Sequence, residues 1–348
     1  MCGLAGWFSP SPIPANQRLQ LEAMIRSIAH RGPDDNGCLL QDHAALGHVR
    51  LSIIDIAGGH QPMTDEEQPV SIVFNGEIYN FIELRDRLIR RGVRFRTRCD
   101  TEVILQIYLH DGPQAFSELR GMFAFAIWDG RNNTGLLVRD PCGIKPLFLT
   151  VKSSGELQFA SEAKAILAKD SRATGELNEI ALHLLMNYRY LPGDLSLFRN
   201  IRQLPPGTVL EWRDDGTIRE TLLSDAASTS VSDNVLGTLE ESIKLHFTAD
   251  VEVGAYLSGG LDSALIASLG RDSGHPELRT FTLDVGDDPN ESRNAARTAE
   301  LLGVKNLLGN SNTDLNEILP RLIWHLEVPK VNALQVNQLA RHAAQHVK

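Results

Sequence analysis

The chain opens MCGLAGWF (residues 1–8), and the reading of its second residue decides what the first half of the molecule is. Initiator methionine is commonly removed before a small side chain. Removal here leaves Cys2 first, with a free α-amine beside its thiol. Those two groups are the minimum kit of an N-terminal nucleophile: the thiolate attacks and the amine relays the proton. An α-amine titrates at about 8, so it can act as a base near neutral pH. Taken alone, a Met-Cys start reads as incidental, and the rest of the chain has to decide.

At 348 residues the chain has room for two domains of ordinary size. Hydrophobic content of 42% and charged content of 22% match a soluble globular protein. A net charge of −10 offers no basic face, so no nucleic-acid partner is expected. No apolar run approaches the roughly 18 residues of a membrane span, and the polar, proline-broken first twenty residues lack a secretory core. Neither a membrane partner nor export is expected. Cys2, Cys38, Cys99 and Cys142 are widely spaced without a CxxC pair, which points away from zinc and from a disulfide framework. A reducing cytoplasm fits them. Cys38 and Cys142 read as partly buried free thiols.

The first half mixes short β-rich runs with turn signals. ALGHVRLSIID (45–55) and PVSIVFNGEIYNF (69–81) read as strands ending in polar loops. FIELRDRLIRRG (81–92) reads as a helix with a glycine stop. DTEVILQIYLHDG (100–112) reads as a second, with Asp100 as N-cap candidate. GMFAFAIWDG (121–130) and GLLVRD (135–140) read as a hairpin with Asn132-Asn133 near its tip, and GELQFASE (155–162) adds a strand. This order predicts an α+β domain of stacked antiparallel sheets with flanking helices over residues 2–211. The polar segment 212–233 reads as a linker. From 234 to 348 the pattern changes to strand–helix alternation: helix 234–247, strand 253–258, helix 263–274, strand 279–286, helix 291–303, strand 304–309. That alternation predicts a parallel α/β sheet.

SGGLDS (258–263) lies between an apolar strand and an apolar helix, where open α/β sheets bind ligands. Gly259 and Gly260 allow close backbone approach, and the helix start adds partial positive charge. Ser258 and Ser263 offer hydroxyls, and Asp262 could hold a magnesium ion. The loop suits a pyrophosphate, although the GK[ST] ending of a Walker A loop is missing. Its plain alternative is a tight strand–helix turn.

SGGLDS after an apolar strand resembles the PP-loop of ATP pyrophosphatases. The first half resembles a class II, Ntn-type glutamine amidotransferase. The motifs are MCGLAG, HRGPD (30–34), GHVRLSIID (47–55), QPM (61–63), FNGEIYN (74–80), DTEV (100–103), LRGMFAFAIWD (119–129), RDPCGIKPL (139–147) and ASEAKA (160–165). Both halves in this order resemble the glutamine-hydrolysing asparagine synthetase family, over nearly all of residues 1–325.

The resemblance implies roles. Cys2 attacks glutamine with its own α-amine as base, and the Asn75 side chain with the Gly76 N–H holds the oxyanion. Arg50 takes the glutamine carboxylate in a two-pronged bond, and Glu77 and Asp100 take its ammonium. Leu51, Ser52, Ile53 and Ile54 line the pocket. Leu257, Ser258, Gly259, Gly260, Leu261, Asp262, Ser263 and Leu283 surround ATP, with Asp262 toward Mg2+. No prosthetic group is implied. An adenylated carboxylate, aspartate or another acceptor, then receives the ammonia. A homodimer is compatible with the family. Residue by residue, plainer alternatives stand beside these: Arg50 as a strand charge, Asn75-Gly76 as a hairpin turn, Asp100 as a helix cap. Arg31, Arg139 and Lys145 read as structural. Two departures stand out. EVPKVNALQVNQLARHAA (327–344) fits the family's EPxxxPSxxP pattern poorly at Lys330, Val331 and Asn332. The sequence also ends at Lys348, before the acidic Gly-rich SGDGxDE loop that the resemblance leads one to expect. The second domain is therefore expected to be a partial sheet with an unfinished site. A glutaminase serving a separate synthetase subunit, and a non-catalytic regulatory protein, are the other readings.

Overall fold

The computed structural model describes residues 2–170, 175–223, 234–284, 289–310, 315–328, 330 and 333–348. Val331 and Asn332 lie outside the described residues. The chain divides into two compact units, Met1–Ser228 and Thr229–Lys348.

Twelve strands build the first unit among its described residues. They are β1 (Gly3–Phe8), β2 (Asp35–Leu40), β3 (Ala44–Arg50), β4 (Met63–Thr64), β5 (Val70–Ile78), β6 (Gly121–Asp129), β7 (Thr134–Arg139), β8 (Phe148–Val151), β9 (Leu157–Ala160), β10 (Arg202–Gln203), β11 (Thr208–Arg213) and β12 (Ile218–Leu222). They form two sheets, ordered β10-β8-β9-β1-β3-β2 and β12-β11-β7-β6-β5-β4. Every pairing within them is antiparallel. Five helices accompany them: α1 (Arg18–Ser27), α2 (Phe81–Arg90), α3 (Asp100–Asp111), α4 (Ala163–Lys169) and α5 (Glu179–Tyr188).

Strand alternation sorts the side chains into three apolar layers. Leu4, Phe8, Ala44 and Leu46 from the first sheet meet Val73, Ala124, Ala126, Trp128, Leu137 and Trp212 from the second. Ala5, Trp7, Ala45 and Val49 face outward against Leu21, Met24 and Ile25 of α1 and Ala163 and Ile166 of α4. Ile72, Phe74, Ile78, Phe125 and Ile127 face α3 through Val103, Ile104 and Ile107. The result is a four-layer αββα stack. Central strands are therefore buried on both faces, so MCGLAGWF and FAFAIW read as continuous apolar runs with little alternation.

Several sequence expectations shift. The strand expected over 45–55 ends at Arg50, and residues 51–59 form a loop. The segment expected as a linker is corrected over its first part. Trp212 is fully buried in β11, and Ile218–Leu222 pairs with β11 as an edge strand. A buried tryptophan inside a polar-looking run is a tertiary effect that local composition hides. Residues 224–233 of that expected linker lie outside the described residues. Asn75-Gly76 sits in mid-strand opposite Ala124 and Phe123, so the hairpin-turn alternative falls. Gly76 is required there because a Cβ would come within 2.2 Å of the Met122 carbonyl. Cys99, and not Asp100, occupies the cap position of α3, and Asp100 is the first helical residue. Cys142 is exposed, unlike the partly buried thiol expected, while Cys38 is half-buried.

The second unit carries β13 (Gly254–Tyr256), β14 (Arg279–Asp284) and β15 (Lys305–Asn310), paired in that order and parallel. Around them are α6 (Val235–His246), α7 (Leu261–Asp272), α8 (Pro289–Leu302), α9 (Leu315–Leu326) and α10 (Ala333–Ala343). Leu257, Ala267, Leu278, Ala295, Ala299 and Val304 form its core. Residues 285 and 286 of the expected strand 279–286 lie outside the described residues. No described helix is long and apolar enough to cross a membrane.

Candidate active site

Cys2 enters β1 at the edge of the inner layer, sharing the face parity of Leu4 and Phe8. The Leu51 N–H donates to its Sγ at 3.3 Å, and the thiol lies 3.5 Å from the Leu51 carbonyl. Burial pushes the Cys2 thiol up, against the Leu51 N–H and the Arg50 guanidinium, which pull it down. Arg31 Nε donates to the Cys2 carbonyl at 2.9 Å and holds the Cys2 backbone in place.

Arg31 is itself held by Glu162 at 2.8 Å, and Glu162 also meets His30 at 3.0 Å and Lys164. Burial alone would raise the Glu162 carboxyl, but bonds from His30, Lys164 and Arg31 outweigh it and hold it at about 2. Lys145 is buried, and burial lowers its ammonium, with Glu77 and Cys2 charges opposing that loss. Its loop is shaped by Asp140, whose carboxylate accepts from the Cys142, Ile144 and Lys145 N–H groups. Arg139 donates to the carbonyls of Gly143, Lys145 and Leu204. Arg139 thus shapes the loop that carries Lys145.

Arg50 ends β3 on the inner face. Its guanidinium donates to the carbonyls of Ile54 (3.1 Å), Asp55 (2.7 Å) and Ile56 (3.1 Å). Gly59 passes so close that a Cβ would sit 2.3 Å from Arg50 Nη2. The loop that leaves Arg50 through Leu51, Ser52 and Ile53 therefore closes around this cation from Ile54 onward, and the Ser52 N–H is tied to Asp34 at 2.8 Å. The plain surface-charge alternative for Arg50 is excluded by its burial, with 4% exposed.

β5 crosses the inner layer opposite these groups. Asn75 shares the inward parity of Val73, is 1% exposed, and neither its Nδ2 nor its Oδ1 has a hydrogen-bond partner. A buried amide left this way costs about 1–3 kcal/mol, so packing alone does not account for it. Phe74 bonds away from β6, to side chains at the open edge of β5, and so does the Ile78 N–H. Alternate residues of an antiparallel strand share an edge, so the Gly76 N–H points the same way between them. Asn75 and Gly76 together present two adjacent donors.

Asp100 lies at the start of α3 and accepts the Ile78 N–H at 3.0 Å. Burial, aided by the Glu77 charge, pushes its carboxyl up to about 7 against that bond. The sign follows from proton binding. Between about pH 4 and 7 the folded state binds the proton more tightly than the unfolded chain, so this group's contribution to stability falls as pH rises through that window. In Asp100→Asn the urea midpoint should accordingly lose part of its decline between pH 4 and 7. An unchanged slope would place the proton elsewhere.

The SGGLDS loop follows β13. Ser258 and Ser263 hydroxyls meet at 2.8 Å, and the Gly260 N–H donates to Ser258 Oγ at 3.2 Å. Gly259 backs onto α8, where a Cβ would lie 3.1 Å from Asn294 Cβ. Leu257 is buried in the core, so only its backbone faces the loop, and its carbonyl accepts from Thr282 at 2.7 Å. Leu261 and Asp262 are exposed at the first turn of α7, and Leu283 is half-buried on β14. Among the described residues no cluster of three metal-ligating side chains surrounds Asp262. Thr282 also meets Asn306, a network that sequence reading missed because neither residue belongs to a motif.

An αββα stack with a cysteine at the head of a central strand, followed by a parallel α/β unit, defines an Ntn-type glutamine amidotransferase domain joined to a synthetase-type domain. The chain belongs to the glutamine amidotransferase domain family, whose model matches residues 1–222, and residues 234–348 match the asparagine synthase family model. It is 36% identical to asparagine synthetase [glutamine-hydrolyzing] 1 of Bacillus subtilis, over 100% of this chain and 56% of that protein. It is 36% identical to a putative asparagine synthetase of Mycobacterium bovis, over 100% of this chain and 58% of that one. Asparagine synthetase B of Escherichia coli is 30% identical over 97% of this chain and 59% of its own length. The chain thus spans a little over half the length of the curated relatives it matches.

Proposed function

We propose that this chain is a glutamine-dependent amidotransferase of the asparagine synthetase type. In the first unit, which we assign to residues 2–222, the Cys2 thiolate attacks the glutamine carboxamide. Its proton passes to the α-amine exposed by methionine removal. Asn75 Nδ2 and the Gly76 N–H hold the oxyanion, ammonia leaves, and water hydrolyses the thioester to glutamate. Arg50 takes the substrate carboxylate, and Glu77 and Asp100 its ammonium, in a pocket lined by Leu51, Ser52, Ile53 and Ile54. In the second unit, residues 234–348, Ser258, Gly259, Gly260, Leu261, Asp262 and Ser263 cradle the phosphates of MgATP, beside Leu257 and Leu283. The carboxylate that is adenylated and then amidated is aspartate. A cytoplasmic location fits the free thiols.

The observation that carries this reading is the buried, unpartnered Asn75 amide on the inward face of β5, in the layer that Cys2 enters. The test is one reaction: the 348-residue chain with glutamine, aspartate and MgATP, and a count of glutamate, asparagine and pyrophosphate. All three products support the full reading. Glutamate alone restricts the activity of this chain to its first unit. No glutamate overturns the proposal.

A further inference from the structure

We propose that His48 and Gln61 are positioning residues of the glutaminase site: together they clamp the backbone of Phe74, on both sides of its Cα, at the open edge of β5 and so aim Asn75 and Gly76. The inference rests on the glutaminase reading of Cys2.

β4 covers the edge of β5 only at Ser71 and Ile72. Continuing the register that pairs Met63 with Ile72 sets Gln61 beside Phe74. There a side chain replaces the backbone ladder. The Phe74 N–H donates to Gln61 Oε1 at 2.6 Å, and the Phe74 carbonyl accepts from His48 Nε2 at 2.9 Å. Phe74, the residue before Asn75, is therefore gripped at both its donor and its acceptor, which belong to the peptides on either side of its Cα. The two grips come from different elements. His48 lies on β3, two residues before Arg50 and with the same inward parity. Gln61 reaches on through Nε2 to Thr101 Oγ1 at 3.2 Å, and Thr101 follows Asp100, which takes the Ile78 N–H. The edge from Phe74 to Ile78 is thus tied at both ends, with Asn75 and Gly76 between the ties.

The chemistry of His48 suits a strut. A carbonyl only accepts, so Nε2 carries the proton. Burial holds the imidazole neutral, with its titration pushed down to about 4. Its Nδ1 is buried with no hydrogen-bond partner, so a single bond defines what the ring does here. An open sheet edge would otherwise be free to shift, and oxyanion donors lose their value when displaced by about 1 Å.

The experiment compares His48→Leu, His48→Gln, Gln61→Leu and the His48→Leu/Gln61→Leu double variant of the full chain. Readouts are kcat and KM for glutamate release, thermal midpoint, and hydrogen exchange in peptides spanning residues 74–78. His48→Leu and Gln61→Leu should each lower kcat roughly 10- to 100-fold, with KM within about twofold and faster exchange at 74–78. His48→Gln places an amide donor near the Nε2 position and should recover kcat to within about threefold of the parent. The double variant should lose less than the product of the single losses, because both grips act on one residue, Phe74. If His48→Leu does not fold, Gln61→Leu and His48→Gln carry the comparison. Wild-type kcat in Gln61→Leu or His48→Leu overturns the inference. So does a loss in folded His48→Gln as large as in Gln61→Leu. A parent chain that releases no glutamate overturns the glutaminase reading instead, and the inference with it.

Discussion

Cys2→Ala is expected to reduce glutamate release to the uncatalysed background while leaving the thermal midpoint nearly unchanged. The fold loses little, because the thiol's contacts are two weak sulfur bonds with Leu51 at the edge of the inner layer. The chemistry loses everything, because no other group of the site is a nucleophile placed to make the thioester. A second variant separates the thiol from its base. One residue added before Cys2 turns the α-amine into an amide that cannot take a proton. Burial pushes the Cys2 thiol up, so the proposed attack calls on that base. The extended chain should therefore be as inactive as Cys2→Ala while iodoacetamide still alkylates its thiol at high pH. Steady-state glutamate release is the measurement. Hydrolysis that survives in Cys2→Ala would sink the nucleophile assignment. Hydrolysis that survives in the extended chain would sink only the α-amine.

Asn75→Ala should lower kcat about 10²- to 10³-fold, as for other oxyanion donors, with KM for glutamine nearly unchanged. Its effect on stability should run opposite to that of an ordinary buried polar deletion. The resting protein gives the Asn75 amide no hydrogen bond to lose. Removing it relieves a desolvated dipole, about 1–3 kcal/mol, and opens a small cavity that offsets part of the gain. The urea midpoint should stay level or rise while activity falls. Activity near that of the parent, coupled with a clear drop in midpoint, would make Asn75 a structural residue.

Sequence order was enough for the architecture and for the roster of candidate residues. Ten short motifs in one order, beginning with Cys2, exclude most folds, and the change from irregular β runs to strand–helix alternation near residue 234 separates the two units. Local chemistry carries that much because strands, helices and glycine turns are set by neighbours in the chain. Other features were legible only in three dimensions. Trp212 looks like part of a polar connection until β11 is seen seated against the aromatic layer of Phe8 and Trp128. Asp100 looks like a helix cap until its carboxylate is found on the Ile78 N–H, where burial moves its titration toward neutrality. Arg50 looks like a strand charge until a loop of carbonyls closes around it. His48 and Gln61 sit in motifs with no role of their own until both meet the backbone of Phe74 in β5. The sequence by itself determined which groups are candidates for the site, since each is written in a local motif. Only the tertiary structure decided which of them are buried, paired or left with an unmet bond. Those properties arise from long-range contacts between strands far apart in the chain, and they set how each of these groups is held.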